Sequence, residues 1–294
     1  MNKPPDSLLI TGTSTGIGYS AASAFLNAGY RVFGTVRNED DAVRLRRELG
    51  AEFKPLVADV TNPGAVQAAV EAMRRELPDG CLAGLVNNAG IARSGPLANQ
   101  EFQEIRAMFE VNLFGTLTVI RACLPLLGMR PKHPRAPGKI ISISSSAGKM
   151  SVPFLGAYVA SKHALEGMSN SLRRELMPYE IPVVLVGPGS VKTPIWGKAP
   201  PEGAYDHTPF GGFYRSFRRV VRASAEKGMV PEEIAKLLVD IMRAKRPKTR
   251  YAPIAHRFAN WTLPRLLSDR QLDRMMYRVI GMRRVRDDAR RTTG

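Results

Sequence analysis

Short apolar, β-branched runs alternate along the chain with segments that carry apolar residues at every third or fourth position. Runs of the first kind predict buried strands, and segments of the second kind predict amphipathic helices. The strand candidates are residues 7–11, 31–36, 53–58, 82–89, 138–145 and 181–188. Because strands separated by helices are joined by right-handed crossovers, this order predicts a parallel sheet covered by helices on both faces.

The pattern predicts one α/β domain over residues 1–254, a doubly wound parallel sheet flanked by helices, and a basic C-terminal extension over residues 255–294. Residues from about 193 to 229 show no strand periodicity and are rich in aromatic side chains. A loop of that length in a compact domain is typical of a lid over a binding site. We therefore predict an aromatic substrate lid there, formed by Trp196, Tyr205, Phe210, Phe213, Tyr214 and Phe217.

The composition fits a globular protein rather than a disordered one, since 44% of the residues are apolar. No stretch approaches the roughly 20 consecutive apolar residues of a membrane-spanning helix. The start of the chain shows no apolar signal segment, and two cysteines, Cys81 and Cys123, argue against a disulfide framework. These features together predict a cytoplasmic protein.

The positive charge is concentrated at the C-terminus. The net charge is +17, and the chain from Arg243 onward holds fifteen Lys/Arg and four Asp. In the extension, Leu272, Met275, Met276, Val279 and Ile280 line one helical face, and Arg270, Arg274 and Arg278 line another. Such a helix either contacts an anionic membrane peripherally or packs on its own domain with a solvated basic face. No nucleic-acid-binding motif accompanies the charge, so we expect no nucleic-acid partner.

A glycine-rich turn, "LLITGTSTGIG", follows the first strand candidate and opens a helix. Gly12, Gly16 and Gly18 leave space for a close approach, and the first amides of the helix point outward. This context predicts a site for the pyrophosphate of a dinucleotide.

The spacing of that turn resembles the TGxxxGIG loop of the short-chain dehydrogenase/reductase family. Further motifs of the family follow in order: "LVADV", "NNAG", "VNLFG", "ISSSAG", "YVASK" and "PGSVKT". The likeness covers about residues 7–195, and "ASKHALEGMSNSLRREL" is most similar to the branch of the 17β-hydroxysteroid and retinol dehydrogenases. The resemblance implies a Rossmann-type oxidoreductase that interconverts a hydroxyl and a carbonyl group.

The resemblance also implies the roles of individual residues. The catalytic residues would be Asn112, Ser145, Tyr158 and Lys162. The cofactor would be bound by Gly12, Ser14, Thr15, Gly16, Ile17, Gly18, Arg37, Asp59, Val60, Asn88, Ala89, Gly90, Tyr158, Lys162, Pro188, Gly189, Val191 and Thr193. The four histidines show no metal-ligand spacing, so we predict no metal site.

Tyr158 and Lys162 lie four residues apart, which in a helix is about one turn, or ~5.4 Å. A nearby cation favours the phenolate, so we expect Lys162 to lower the tyrosine pKa from about 10. In the family's mechanism Tyr158 would exchange the proton with the substrate oxygen while Ser145 orients that oxygen. Lys162 would hold the nicotinamide ribose, and Asn112 would keep a water that links Lys162 to solvent.

The end of the second strand candidate predicts the cofactor. NAD-preferring members carry an acid there, whereas this chain has Val36 followed by Arg37. Because an arginine can bind the 2′-phosphate, we favour NADP(H) over NAD(H).

The side chains of the predicted lid indicate the class of substrate. These bulky side chains, with Phe154 and Leu155 ahead of Tyr158, suit a lipophilic alcohol or ketone. One alternative is a generic aldehyde or ketone reductase whose lid aromatics pack the core. Another is an NADP(H)-sensing or scaffold protein without turnover, although all four catalytic residues are present. The resemblance implies a homodimer or homotetramer.

Overall fold

A computed structural model describes residues 6–195 and 200–282. Within these residues, seven strands form one parallel sheet in the order β3-β2-β1-β4-β5-β6-β7. The strands are β1 Ser7–Ile10, β2 Arg31–Val36, β3 Phe53–Val57, β4 Gly84–Asn87, β5 Lys139–Ile143, β6 Val183–Val186 and β7 Arg250–Tyr251. The six strand candidates and the parallel sheet are confirmed. The pattern missed β7 because a two-residue strand at the sheet edge has no apolar run of its own.

Helices cover both faces of the sheet. They are α1 Gly16–Asn27, α2 Glu39–Leu49, α3 Pro63–Glu76, α4 Phe102–Phe109, α5 Thr116–Leu127, α6 Gly156–Glu175, α7 Gly211–Glu226, α8 Pro231–Arg243 and α9 Asp269–Val279. Each face of the sheet has its own hydrophobic core, as strand β1 shows. Leu8 and Ile10 pack with residues of α1 and α8, whereas Leu9 packs with residues of α3 and α5. Successive side chains of a strand point to opposite faces, so a strand buried on both faces is apolar throughout.

The strand order reverses beside β1. The chain runs outward through β2 and β3, then crosses back to place β4 on the other side of β1. Connections that leave β1 and β4 in opposite directions open a crevice at the carboxyl ends of these two strands. The glycine turn after β1 and the "NNAG" segment after β4 both lie at this crevice.

The lid prediction is wrong about local structure, because helix α7 occupies much of the segment that we expected to be a loop. Tyr214, Phe217 and Val221 recur at helical spacing and pack into one cluster. Four arginines lie between them or directly after them along the helix: Arg215, Arg218, Arg219 and Arg222. The helical period was present in the sequence, but the surrounding glycines and prolines obscured it. Trp196 lies outside the described residues.

The described part of the C-terminal extension contains helix α9, as predicted, and contacts α7 in the lid segment. The hydroxyl of Ser216 on α7 donates a hydrogen bond of 2.5 Å to the carbonyl of Ile280, just after α9. Ile280 is buried in the same cluster as Phe217. The extension up to residue 282 therefore packs on its own domain.

One continuous helical run, Phe102–Leu127, is long and apolar enough to span a membrane by length and composition. Our count of consecutive apolar residues did not detect it. The run consists of α4, a π-helical turn Glu110–Gly115 and α5, and α5 contacts α3, β4 and β5. A core helix of a globular domain meets the same criterion, so the run carries no argument for a membrane span.

Candidate active site

The glycine turn after β1 is held in a conformation that requires glycine. Gly12 and Gly16 have φ angles of +70° and +58°, in the left-handed region. A Cβ atom on Gly18 would lie 2.1 Å from the carbonyl oxygen of Gly12. The Asn88 amide donates to the carbonyls of Thr11 and Gly12 at 3.0 and 2.9 Å. The turn is therefore fixed to the end of β4 and leaves the first amides of α1 uncovered by side chains.

A cavity of about 420 Å³ lies in the crevice beside this turn. Twelve of the predicted cofactor residues line it: Gly12, Ser14, Thr15, Gly16, Ile17, Arg37, Asp59, Val60, Asn88, Ala89, Gly90 and Thr193. Gly18 lies behind the lining, where it allows α1 to pack closely on the turn. Backbone amides at a helix N-terminus and an uncrowded glycine surface fit the diphosphate of a dinucleotide.

Three residues near this cavity were missed. The Thr35 hydroxyl accepts a hydrogen bond of 3.0 Å from the Gly12 amide. Asp41 lines the cavity, and the Arg44 guanidinium contacts its carboxylate at 2.8 Å and the Ser14 carbonyl at 2.9 Å. The hydrogen bond from Arg44 lowers the pKa of Asp41. From the sequence, only the acidic first turn of α2 was visible. The contact between Arg44 and Ser14 joins residues thirty positions apart and leaves no local pattern.

A second cavity, of about 280 Å³, adjoins the first, and Ile17, Asn88, Gly90, Thr193 and Ile195 border both. The predicted residues Ser145, Tyr158, Lys162, Pro188, Gly189 and Val191 line it. The structure thus brings three of the four predicted catalytic side chains together in the cavity that adjoins the first one.

Helix α6 holds Tyr158 and Lys162 in the protein interior, where they are 6% and 5% exposed. The Lys162 ammonium lies 5.9 Å from the centre of the Tyr158 ring and donates a hydrogen bond of 2.9 Å to the Ile143 carbonyl. Ser145 follows β5, and its hydroxyl hydrogen-bonds with the Tyr158 side chain. These contacts fix the phenol between a hydroxyl and an ammonium.

The expected lowering of the Tyr158 pKa does not occur in the structure. Burial raises the pKa of Tyr158, and the hydrogen bond with Ser145 only partly opposes it. Burial also lowers the pKa of Lys162 to about 8, although the negative charge of Glu166 raises it. The phenol is therefore a weaker acid than a free tyrosine, and the Lys162 ammonium is a stronger acid than a free lysine. Desolvation outweighs the attraction that the sequence suggested.

Asn112 lies in the π-helical turn, is fully buried and does not line either cavity. Its amide nitrogen donates to the Ile91 carbonyl and the Ser161 hydroxyl, both at 3.0 Å, and its oxygen accepts from the Ile91 amide at 2.9 Å. Its side chain thus braces the end of β4 against α6. Its predicted role in holding a water stays a prediction.

The lid aromatics do not form the substrate surface that we predicted. Phe154 packs at 5.7 Å from Tyr214 and 5.4 Å from Phe217, measured between ring centres, and Tyr205 packs on Tyr214 at 4.9 Å. Of the predicted lid aromatics in the described residues, Phe217 alone lines the second cavity. The other lining groups are mostly aliphatic and include residues of the C-terminal helix: Val152, Leu155, Val220, Val221, Ala225, Met276, Val279 and Ile280.

No group of three or more His, Cys, Asp or Glu side chains in residues 6–195 and 200–282 is placed to hold a metal ion.

Comparison with known proteins places this geometry in a family. The family model described as short chain dehydrogenase matches residues 6–203. The chain belongs to the short-chain dehydrogenase family. It is accordingly an NAD(P)-dependent oxidoreductase with the family's Rossmann-type fold.

Several relatives of this short-chain dehydrogenase carry the names of reductases. The NADPH-dependent 3-dehydrocapnine reductase of Ornithobacterium rhinotracheale is 38% identical over 271 residues, 92% of this chain and 95% of that protein. The 3-ketodihydrosphingosine reductase of Bacteroides thetaiotaomicron is 30% identical over 253 residues, 85% and 89% of the two chains. A solved short-chain dehydrogenase from Streptomyces avermitilis superposes with a TM-score of 0.74 at 27% identity and covers 90% and 93% of the two chains.

The substitution Gly18→Ala tests the glycine turn. We expect it to weaken NADPH binding at least ~10-fold and to lower the melting temperature, because the new methyl group must displace the Gly12 carbonyl. Fluorescence titration with NADPH and thermal unfolding measure the two effects. Gly167→Ala is the matched control, since a Cβ there meets no atom within 4 Å. Equal affinities of the two variants would contradict the assigned role of the turn.

Proposed function

We propose that this protein is an NADP(H)-dependent reductase of a bulky lipophilic ketone and that Tyr158 is its proton donor. The observation that carries the proposal is that Ser145, Tyr158 and Lys162 together line a largely apolar cavity that adjoins the dinucleotide cavity. The names of two relatives, a 3-dehydro and a 3-keto compound reductase, support reduction of a carbonyl.

The chain's own residues account for each proton in this reaction. The nicotinamide, when bound, supplies hydride to the carbonyl carbon. Ser145 and Tyr158 would donate hydrogen bonds to the carbonyl oxygen and stabilise the charge that develops there. Tyr158 would then transfer its proton to that oxygen. The Lys162 ammonium would stabilise the resulting phenolate, which is otherwise disfavoured in a buried site.

Arg37 supports the preference for NADP(H). It is exposed just after β2 and lines the dinucleotide cavity. NAD-preferring members carry an acid at the end of this strand, where this chain has Val36. The Arg37 guanidinium would form charge-assisted hydrogen bonds with a 2′-phosphate. The relative from Ornithobacterium, which is named as NADPH-dependent, supports the same choice.

The second cavity supports a lipophilic substrate. Its lining is mainly aliphatic, and the oxygen of the substrate would bind at its polar end, between Ser145 and Tyr158. The likeness to the 17β-hydroxysteroid and retinol dehydrogenase branch stays a prediction, as does the cytoplasmic location. The proposal also extends to a homo-oligomer, supported by the exposed Phe102 and Phe114 along the α4–α5 run.

The C-terminal extension supports the proposal of a peripheral membrane contact. Phe258 and Leu266 are 69% and 75% exposed, and the exposed Arg257 and Arg265 lie beside them in the chain. Apolar side chains among arginines suit the interface of an anionic bilayer. Met276 and Val279 of α9 also line the second cavity, and Val279 is 58% exposed.

The variant Tyr158→Phe separates an enzyme from a cofactor sensor. We expect kcat to fall ~10²–10⁴-fold because the proton donor is lost, while NADPH affinity is unchanged. The assay is NADPH oxidation with a panel of steroid ketones, retinal, aliphatic and aromatic aldehydes, and acetoacetyl derivatives. Full activity of this variant would refute the proposed role of Tyr158, and turnover of small aldehydes alone would favour the generic reductase.

The variant Arg37→Asp tests the cofactor preference. We expect the ratio of kcat/KM for NADPH to that for NADH to fall about 10- to 100-fold, the value of one or two charge-assisted hydrogen bonds. Arg46→Asp, an exposed position on α2 outside the cavity lining, is the charge-matched control. A ratio that changes equally in both variants would mean that only the overall charge matters.

Sedimentation with vesicles tests the membrane contact. We expect binding to vesicles that contain phosphatidylglycerol but not to pure phosphatidylcholine, because the surface is basic. The double variant Phe258→Ser/Leu266→Ser should bind the anionic vesicles at least ~10-fold more weakly, since it lacks the two apolar side chains that would enter the bilayer. Identical sedimentation of the variant and the parent protein would rule out this surface.

A further inference from the structure

A buried carboxylate lies one helical turn beyond Lys162. Glu166 is 1% exposed, and the guanidinium of Arg250 binds it through two nitrogens, with Nε at 3.1 and 3.0 Å from the two carboxylate oxygens and Nη2 at 3.0 Å from one. Lys149 adds a longer contact of 3.5 Å. A charge removed from water to this extent persists only with such partners.

Arg250 joins this carboxylate to the catalytic serine. Its Nη2 lies 3.4 Å from the carbonyl oxygen of Ser145, towards which it donates. The guanidinium occupies the space over Gly187, where a Cβ atom would lie 2.4 Å from Nη2. On the other side of the residue, the ring of Trp261 lies 4.8 Å from the guanidinium carbon. The side chain of Arg250 therefore joins four parts of the chain: its own strand β7, helix α6, the segment after β5 that carries Ser145, and the C-terminal extension.

We propose that Glu166 and Arg250 are positioning residues of the reaction. Arg250 fixes the backbone of Ser145, and Glu166 holds a negative charge, paired with Arg250, one helical turn from Lys162. This inference rests on the proposed function of Ser145, Tyr158 and Lys162. Neither residue lies in a position to touch the reacting atoms, because neither lines the cavities. Their effect is transmitted through the Ser145 carbonyl and through the electric field at Lys162.

The sign of that field effect separates a positioning role from a purely structural one. The charged and titratable groups near the pair include Lys149 after β5, Lys162 on α6 and Arg265, whose guanidinium carbon also lies 4.8 Å from the Trp261 ring. Tyr158 is linked to the pair through Ser145. Removal of the Glu166 charge makes the loss of a neighbouring proton easier, whereas removal of the Arg250 charge makes it harder. A loss of packing alone would not shift the two titrations in opposite directions.

The experiment compares Glu166→Gln, Arg250→Met, Arg250→Lys and the double variant Glu166→Gln/Arg250→Met. The titration of Tyr158 with NADP⁺ bound is measured by tyrosinate absorbance, as the difference between each variant and the same variant carrying Tyr158→Phe. Catalysis is measured as kcat against pH with the panel carbonyl that the parent protein reduces fastest. Arg246→Met, at an exposed position ahead of β7, is the control.

We expect the titration midpoint to move down by ~0.5 pH unit or more in Glu166→Gln and up by a similar amount in Arg250→Met. The double variant, which holds a neutral pair, should titrate near the parent protein and keep its fold. We expect kcat to fall ~10-fold in Arg250→Met and to recover in part in Arg250→Lys, because the serine carbonyl regains a donor.

Two results would overturn the inference: midpoints equal to that of the parent protein in all variants, or shifts in one direction that follow the loss of thermal stability. The titration does not depend on turnover. Opposite shifts in a protein that reduces no carbonyl would therefore refute the proposed function while leaving the coupling of the pair to Tyr158 and Lys162 intact.

Discussion

Helix α6 carries two charged side chains, Lys162 and Glu166, into the interior of the protein, and much of the surrounding structure satisfies them. The Ile143 carbonyl at the end of β5 accepts from the lysine, and Arg250 of β7 neutralises the glutamate. Buried charges without such partners would destabilise the fold by several kcal/mol. The end of the central sheet, the edge strand and the catalytic helix are therefore held in one arrangement by electrostatics as well as by packing.

The dinucleotide crevice depends on a different constraint, the absence of side chains. The turn after β1 and the segment after β4 approach so closely that a Cβ on Gly18 would lie 2.5 Å from the side-chain amide nitrogen of Asn88, and a Cβ on Gly12 would lie 3.0 Å from the Cα of Ala89. Asn88 and Asn112 then use their amides to join the two segments to each other and to α6. The positions of the cofactor residues thus follow from backbone contacts, and the outward-facing amides remain free for a diphosphate.

The second cavity is formed by parts of the chain that are far apart in sequence. Ser145 and Tyr158 form its polar end, α7 forms one wall, and α9 contributes Met276 and Val279. The hydrogen bond between Ser216 and Ile280 holds the two helices together. Because most aromatic residues of the lid pack α7 on the domain, the α7 side chains that line the cavity are small or aliphatic apart from Phe217. Substrate selectivity is accordingly expected to vary with the C-terminal extension.

The sequence by itself determined the six longer strands, the parallel sheet, the glycine turn and the placement of Tyr158 one helical turn from Lys162, because each is encoded in a local pattern: apolar runs, glycine spacing or helical spacing. The grouping of Ser145 with this pair followed from the resemblance to the family. Only the tertiary structure decided the environment of the phenol, the path of α7, the role of α9 as a cavity wall and the pairing of Glu166 with Arg250. These features arise between residues far apart in the chain, such as Glu166 and Arg250, 84 positions apart, and Ser94 and Tyr214 of α7, 120 positions apart, or from the removal of water around a group. Neither effect leaves a periodic signal in the chain, since desolvation and long-range contacts exist only once the elements have packed.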